Sequence, residues 1–378
     1  MKIAYVTTYD ARNVHNWSGT GYNLAHSLME EKAEMDFIGN LHFPFEKLTK
    51  IKRLLYRKVL GQRYQHQREP WVAKSFADQV NSRLSPSVNC ILSPGSVAIA
   101  RLQSKIPKVF YTDATFAGML GFYEDYTNLC PETVRHGHKL EQEGLSSCAL
   151  AVYASDWAAQ TAIDHYEVDP SKVKVLPFGA NIECDRTADD IQRLIRARSK
   201  QTCKLLFVGV DWVRKGGPLA LEVAGTLNAM GIPTELHIAG IRNLPLEHLP
   251  GYVRDHGFIS KSTPEGKLRL EKLFAESHFL LLPTRAEAYG LVFCEANSFG
   301  VPNVATNVGG IPTIVKQDVN GRLFSLEAPA ADHAKYIAGL FSDYEAYERL
   351  ALSSFEEFQQ RLNWKVAGKK LMGLLSEL

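Results

Sequence analysis

Short runs rich in β-branched and aromatic residues recur along the chain: KIAYVTT at the start, then EMDFIGN, CILSPG, KVFYTDAT, LAVYAS and KVKVLPFG. Between them lie stretches whose apolar residues return at helical spacing. Continuous apolar strands alternating with helices are what a parallel sheet covered on both faces requires, because neither face of such a strand meets water. Residues 1–183 therefore read as one α/β domain. The segment CDRTADDIQRLIRARSKQTC is charged and poor in large apolar side chains, so residues 184–203 read as a linker. The rhythm restarts with KLLFVGV, TELHIAG, HFLLLPT and VPNVATNVGG, which predicts a second Rossmann-like domain over 204–360. The final stretch, 361–378, contains the amphipathic WKVAGKKLMGLLSEL and predicts a helix that packs back on one of the two domains.

Composition narrows the class. At 378 residues the chain is long enough for two cores, and 45% hydrophobic with 22% charged residues is ordinary for a globular protein. A formal net charge of +2 gives no electrostatic case for a nucleic-acid partner. Cys90, Cys130, Cys148, Cys184, Cys203 and Cys294 form no C-x-x-C pair, so neither zinc nor a disulfide framework is expected. The N-terminal apolar run is too short for a signal-peptide core and no 18-residue apolar stretch follows, which predicts a cytoplasmic location.

The chemistry concentrates in TRAEAYGLVFCEANSFGVPNVATNVGGIPTIV, after the apolar strand HFLLLPT. The pattern is strand, loop, helix, with Gly290 where the helix begins. Unpaired N–H groups of the first turn, about Leu291 to Phe293, would favour an anion. Glu287 before the helix and Glu295 one turn inside it suit hydroxyl groups instead, since an ionised carboxylate only accepts hydrogen bonds and repels phosphate. A second segment, FVGVDWVRKGGPLALEVA, ends a strand at Gly209 and starts a helix near Gly217. Its adjacent Arg214 and Lys215 could neutralise a departing diphosphate without a metal ion.

The run from Glu287 to Ala296, EAYGLVFCEA, followed by GVP from Gly300 and VGG from Val308, resembles the E-x7-E signature of retaining GT-B glycosyltransferases of family 4. The resemblance extends to Gly209 with Arg214 and Lys215, to KVKVLPFGANIE and to SGTGYNLAHSL. It implies two Rossmann-like domains facing each other across a cleft, the C-terminal one holding a nucleoside diphosphate sugar, UDP before GDP. It also implies that Glu287 holds sugar hydroxyls, Glu295 the ribose, and Arg214 with Lys215 the diphosphate. Gly290, Leu291 and Val292 then match backbone donors, Gly19 and Thr20 match a loop closing over the donor, and Phe258 and Ile259 fall near the nucleobase pocket. One departure stands out. Many relatives carry a His after the fourth N-terminal strand, where this chain has Thr112 and Asp113, which makes Asp113 the candidate on the acceptor side. His136 and His138 form an H-x-H pair with no further ligand nearby in sequence, so no metal is expected.

Residues 47–68, KLTKIKRLLYRKVLGQRYQHQR, carry eight Lys and Arg residues interleaved with Ile51, Leu54, Leu55, Tyr56, Val59 and Leu60. Such a basic amphipathic helix either packs its apolar side on the first domain or rests on an anionic membrane surface. The expected activity is hexosyl transfer to a glycan or lipid-linked acceptor. A nucleotide-sugar epimerase, a sugar phosphorylase and a non-catalytic cleft-binding protein are the rival classes.

Overall fold

The computed structural model describes residues 1–378. Six strands build the first sheet: β1 (Lys2–Val6), β2 (Glu34–Ile38), β3 (Cys90–Ser93), β4 (Lys108–Thr112), β5 (Leu150–Tyr153) and β6 (Val173–Val175). They lie in the order β2-β1-β3-β4-β5-β6 with every pairing parallel. The second sheet holds β7 (Cys203–Val208), β8 (Thr234–Ala239), β9 (Val253–Asp255), β10 (Phe279–Leu282), β11 (Asn303–Thr306) and β12 (Gly321–Phe324). Its order is β12-β11-β10-β7-β8-β9, again all parallel. The interior strands β3, β4, β5, β10 and β11 are buried at every position, as their mostly apolar residues require, with polar residues only at strand ends, whereas the edge strands β2 and β6 are partly exposed.

Each sheet belongs to its own compact unit. One comprises Met1–Phe178 with Ala367–Leu378, the other Gly179–Val366. The boundary therefore falls before the charged segment expected to be a linker. Residues 184–203 instead contain a helix, Ala188–Ala197, opened by a capping box between Thr187 and Asp190. Ile191 and Ile195, four residues apart, are buried, and Arg193 between them is exposed. Arg198 is buried too. Its guanidinium donates to the carbonyls of Ala275, Phe299 and Gly300 and to the Tyr347 hydroxyl, so it ties the second unit together. A low count of apolar residues concealed a helix that needs only two of them. The terminal helix, Trp364–Ser376, begins in the second unit, while its Ala367 onward counts with the first, where Gly368 sits too close to Ser27 for a Cβ.

In both sheets the chain reverses its direction of winding next to the first strand of the unit: between β1 and β3, and between β7 and β10. The loops leaving the carboxyl ends of strands at such a point diverge and leave a crevice where ligands bind.

Candidate functional site

In the second unit the loops after β7 and β10 meet at this reversal. Gly216 closes the first loop with φ +78°, and a Cβ there would lie 1.9 Å from the Pro283 carbonyl oxygen, so only glycine allows the two loops to touch. The loops are then joined directly: Arg285 N–H and the Thr284 hydroxyl donate to the Arg214 carbonyl at 2.8 and 3.0 Å. This join carries Arg214 and Lys215 to Glu287. The Lys215 ammonium pairs with Glu287 Oε2, and Arg214 Nη1 lies 3.7 Å from the same oxygen while donating to the Ala286 carbonyl at 2.8 Å. Gly209 keeps the approach open, since its Cβ would fall 2.9 Å from Lys215 Cγ.

Gly290, with φ +96°, caps the helix Leu291–Asn297. That helix is only seven residues long, so its dipole is small and any hold on an anion rests on individual N–H groups. Phe293 N–H already donates to the Gly290 carbonyl at 3.0 Å, which corrects the expectation that it too points outward and leaves Leu291 and Val292 as the first-turn donors.

Neither glutamate is a surface residue: Glu287 is 8% exposed and Glu295 is 0% exposed. A buried carboxylate needs a partner. For Glu295 it is Lys261, whose Nζ lies 2.5 and 2.6 Å from the two carboxylate oxygens. Nothing in the sequence marks Lys261. It stands 34 positions away in the polar loop before the helix Pro264–Glu276, which Thr263 caps. Of the two residues placed at the nucleobase, Ile259 is buried, but Phe258 is 46% exposed with the Arg242 guanidinium 4.2 Å over its ring.

In the first unit, Gly19 and Thr20 join the short turn Asn16–Gly19 to the helix Thr20–Glu30. Trp17, Ser18 and Gly19 all have positive φ (46°, 54° and 83°), a run that bulky residues adopt only when their surroundings hold them there. Trp17 is held edge-on against Phe178 at 5.6 Å. Thr112, which ends β4, and Asp113, which follows it, line a cavity of about 220 Å³ at the reversal between β1 and β3. Tyr9 lines it as well, and burial with the nearby Asp113 carboxylate pushes its phenol far above the ordinary range.

His136 and His138 take separate partners. His138 Nδ1 meets the Tyr166 hydroxyl at 3.2 Å, and His136 Nδ1 lies 3.2 Å from Glu69. Glu69, Glu132 and His136 come within 4.8 Å of one another, as metal ligands would. The Lys52 ammonium, however, sits 2.5 Å from Glu69 and 2.7 Å from Glu132 and already answers their charge. That donor set does not fit a metal ion.

Comparisons with known proteins bear on the second unit first. Residues 190–354 match the family described as Glycosyl transferases group 1. Curated relatives include the D-inositol 3-phosphate glycosyltransferase of Paenarthrobacter aurescens, 26% identical over 231 residues covering 58% of this chain and 56% of the relative. The enzyme of the same name from Geodermatophilus obscurus is 28% identical over 219 residues, 54% of this chain and 48% of the relative. The chain thus spans about half the length of the curated relatives it matches. Among solved structures, sucrose-phosphate synthase from Thermosynechococcus elongatus aligns with a TM-score of 0.69 at 16% identity, covering 100% of this chain and 98% of that one. Anabaena Alr3699/HepE in complex with UDP aligns with a TM-score of 0.66 at 14% identity, 100% of each chain being covered. WaaG, a glycosyltransferase involved in lipopolysaccharide biosynthesis, aligns with a TM-score of 0.62 at 14% identity over 100% of both chains. Residues 190–354 thus match the glycosyl transferases group 1 domain, and the chain as a whole has the GT-B fold, with its two parallel six-stranded sheets in separate α/β units.

Proposed function

We propose that this protein is a retaining glycosyltransferase that moves a hexosyl group from a nucleoside diphosphate sugar, UDP before GDP, to an acceptor hydroxyl. The observation that carries the reading is the meeting of Arg214, Lys215, Glu287 and the Gly290 turn at the winding reversal of a glycosyl transferases group 1 domain. Leu291 and Val292 N–H groups, with Arg214 and Lys215, take the diphosphate oxygens. Glu287 and Glu295 accept from the hydroxyls of the hexose and the ribose. Both cations are paired with Glu287 before any donor arrives, so their geometry is fixed in advance and little reorganisation accompanies binding.

In the reaction the acceptor oxygen bonds to the anomeric carbon as its bond to the phosphate oxygen breaks. The acceptor proton passes to that phosphate oxygen, and the cations stabilise the charge of the departing nucleoside diphosphate. No carboxylate is assigned as a covalent nucleophile. On the acceptor side, Asp113 positions the incoming hydroxyl or a neighbouring one. The similar Anabaena protein was solved in complex with UDP, which supports the choice of nucleotide.

A lipid-linked or membrane-borne acceptor is favoured by one further observation. No helix is long and apolar enough to cross a membrane, yet the helix Glu46–Val59 presents its apolar side outward. Leu48, Ile51, Leu55 and Val59 share one face and are 59%, 66%, 55% and 69% exposed. Thr49, Lys52 and Tyr56 face the protein instead, Lys52 and Tyr56 both reaching Glu132. The alternative expectation, that the apolar side packs on the domain, is therefore wrong: the buried Glu69 and the half-buried Glu132 draw the polar side inward. With Lys47, Lys50, Arg57 and Lys58 exposed alongside, this face suits anionic headgroups on a cytoplasmic leaflet.

The test is a product assay with UDP-, GDP- and ADP-hexoses, preceded by thermal-shift screening of the same donors. Hexose transferred to an acceptor supports the reading. An isomerised donor, or consumption of inorganic phosphate, would assign the chain to the epimerase or phosphorylase class, and binding without turnover to a non-catalytic one.

A further inference from the structure

The cavity of the first unit contains an arginine that the site so far described does not use. Arg68 lines it, is 8% exposed, and its Nε and Nη1 atoms are buried without any hydrogen-bond partner. It lies beside Glu141, whose Oε2 stands 3.9 Å from Nη1, beyond hydrogen-bond range. Glu141 bonds instead to the Ser96 hydroxyl at 2.5 Å. The Tyr9 hydroxyl, also lining the cavity, is another buried group with no partner. Leaving two buried guanidinium nitrogens unbonded is costly, and in a folded protein such donors mark a place where a ligand or water completes the network.

The surroundings define what fits. Arg68 and Tyr9 offer unmet N–H and O–H donors, while Asp113 and Glu141 on the same cavity wall offer carboxyl groups. Two acids against one guanidinium disfavour an anion. A neutral ring bearing several hydroxyls satisfies both sets, because each hydroxyl donates and accepts at once. Phe116, 2% exposed, lies beneath the Arg68 guanidinium at 4.5 Å and holds it in place at the cavity wall. The volume of about 220 Å³ and the position at the reversal between β1 and β3 suit one monosaccharide unit.

We propose that this cavity is the subsite for a neutral monosaccharide unit of the acceptor, with Arg68 as the residue that selects it. The proposal rests on the transferase reading and adds to it the chemical class of the acceptor group and the residue that reads it. No cue in the chain marks this role, since Arg68 reads there as the last cation of a basic run.

The experiment is ligand-observed NMR titration of the full chain, saturated with UDP, with glucose, galactose, mannose and N-acetylglucosamine, and separately with inorganic phosphate. At least one neutral sugar binds the wild type, and Arg68→Met weakens it at least about tenfold while the UDP affinity stays unchanged. Arg68→Lys, which keeps the charge but not the fork, falls between the two and serves if the methionine variant does not fold. The proposal is overturned if none of the four sugars binds the wild type, or if both Arg68 variants bind sugar as the wild type does. Arg68-dependent binding of phosphate in place of sugar also overturns it, as does sugar binding that depends on Glu287 (tested with Glu287→Gln) and not on Arg68. Failure of UDP to bind the wild type is a separate result, which counts against the donor reading of the second unit and leaves the sugar titration interpretable.

Discussion

The two candidate sites, one in each unit, treat their buried charges in different ways. In the second, Lys215 and Arg214 flank Glu287, and Lys261 grips both oxygens of Glu295. In the first, Nε and Nη1 of Arg68 and the Tyr9 hydroxyl are buried with no hydrogen-bond partner, and an entire helix turns its apolar side outward. On the proposed reading, a site for a diphosphate and two sets of hydroxyls fixes its cations and carboxylates by pairing them with each other, whereas in a site for a neutral ring two nitrogens of Arg68 stay without a hydrogen bond, its acidic neighbour Glu141 standing 3.9 Å away.

The sharpest way to break this contrast is at Lys215. Lys215→Ala removes the cation closest to Glu287 and lowers turnover at least about a hundredfold in a donor-consumption assay. A variant that keeps near wild-type turnover removes Lys215 from the chemistry. Next in size is Lys261→Met, which strands a fully buried carboxylate. Breaking a buried ion pair costs about 3–5 kcal/mol, and because the Lys261 side chain is 47% exposed the loss should be smaller, on the order of 1–2 kcal/mol by chemical denaturation. An unchanged midpoint would show that Glu295 does not need its partner.

Acid tests the units more gently. Burial drives the imidazole of His278 down to about 3, and His237, His256 and His333 in the same unit are lowered for the same reason. In the first unit burial lowers His66 and His138. A histidine depressed on folding is protonated more readily in the unfolded chain, so the stability it contributes is present above pH 6.5 and is lost as pH falls toward 3. For His278 alone the slope is on the order of 1 kcal/mol per pH unit in that window. His278→Gln should flatten the acid limb of a denaturation series, and an unaltered limb would place the acid sensitivity elsewhere.

The smallest effect on stability is expected at the outward-facing helix. Replacing Ile51 and Leu55 by Ser removes only exposed apolar surface, so the folding free energy should move by less than about 0.5 kcal/mol. Sedimentation with anionic vesicles should nevertheless fall severalfold. Equal sedimentation of wild type and variant would end the membrane reading.

How far the sequence spoke follows from the same contrast. The alternation of apolar strands and helices foretold two parallel sheets, because burial on both faces leaves an unbroken apolar run. That Arg214, Lys215 and Glu287 come together was legible in part because Arg214 and Lys215 lie in one loop and Glu287 to Glu295 in one strand-loop-helix stretch. Lys261, Arg68 and Glu141 were not, since each reaches its place through tertiary packing over long chain separations, such as the 34 residues between Lys261 and Glu295. The supposed linker failed for a related reason: Ile191 and Ile195 bury one narrow stripe, and Arg198, charged and therefore expected outside, is held within by four acceptors.

The central claim is that the second unit holds the nucleotide sugar through the residues brought together after β7 and β10. A crystal structure of the protein with UDP tests it most directly. The account predicts the diphosphate against Arg214, Lys215 and the N–H groups of Leu291 and Val292, with the ribose on Glu295 in place of the Lys261 ammonium. UDP bound at another place, or Glu295 still closed by Lys261 beside a bound nucleotide, would contradict it.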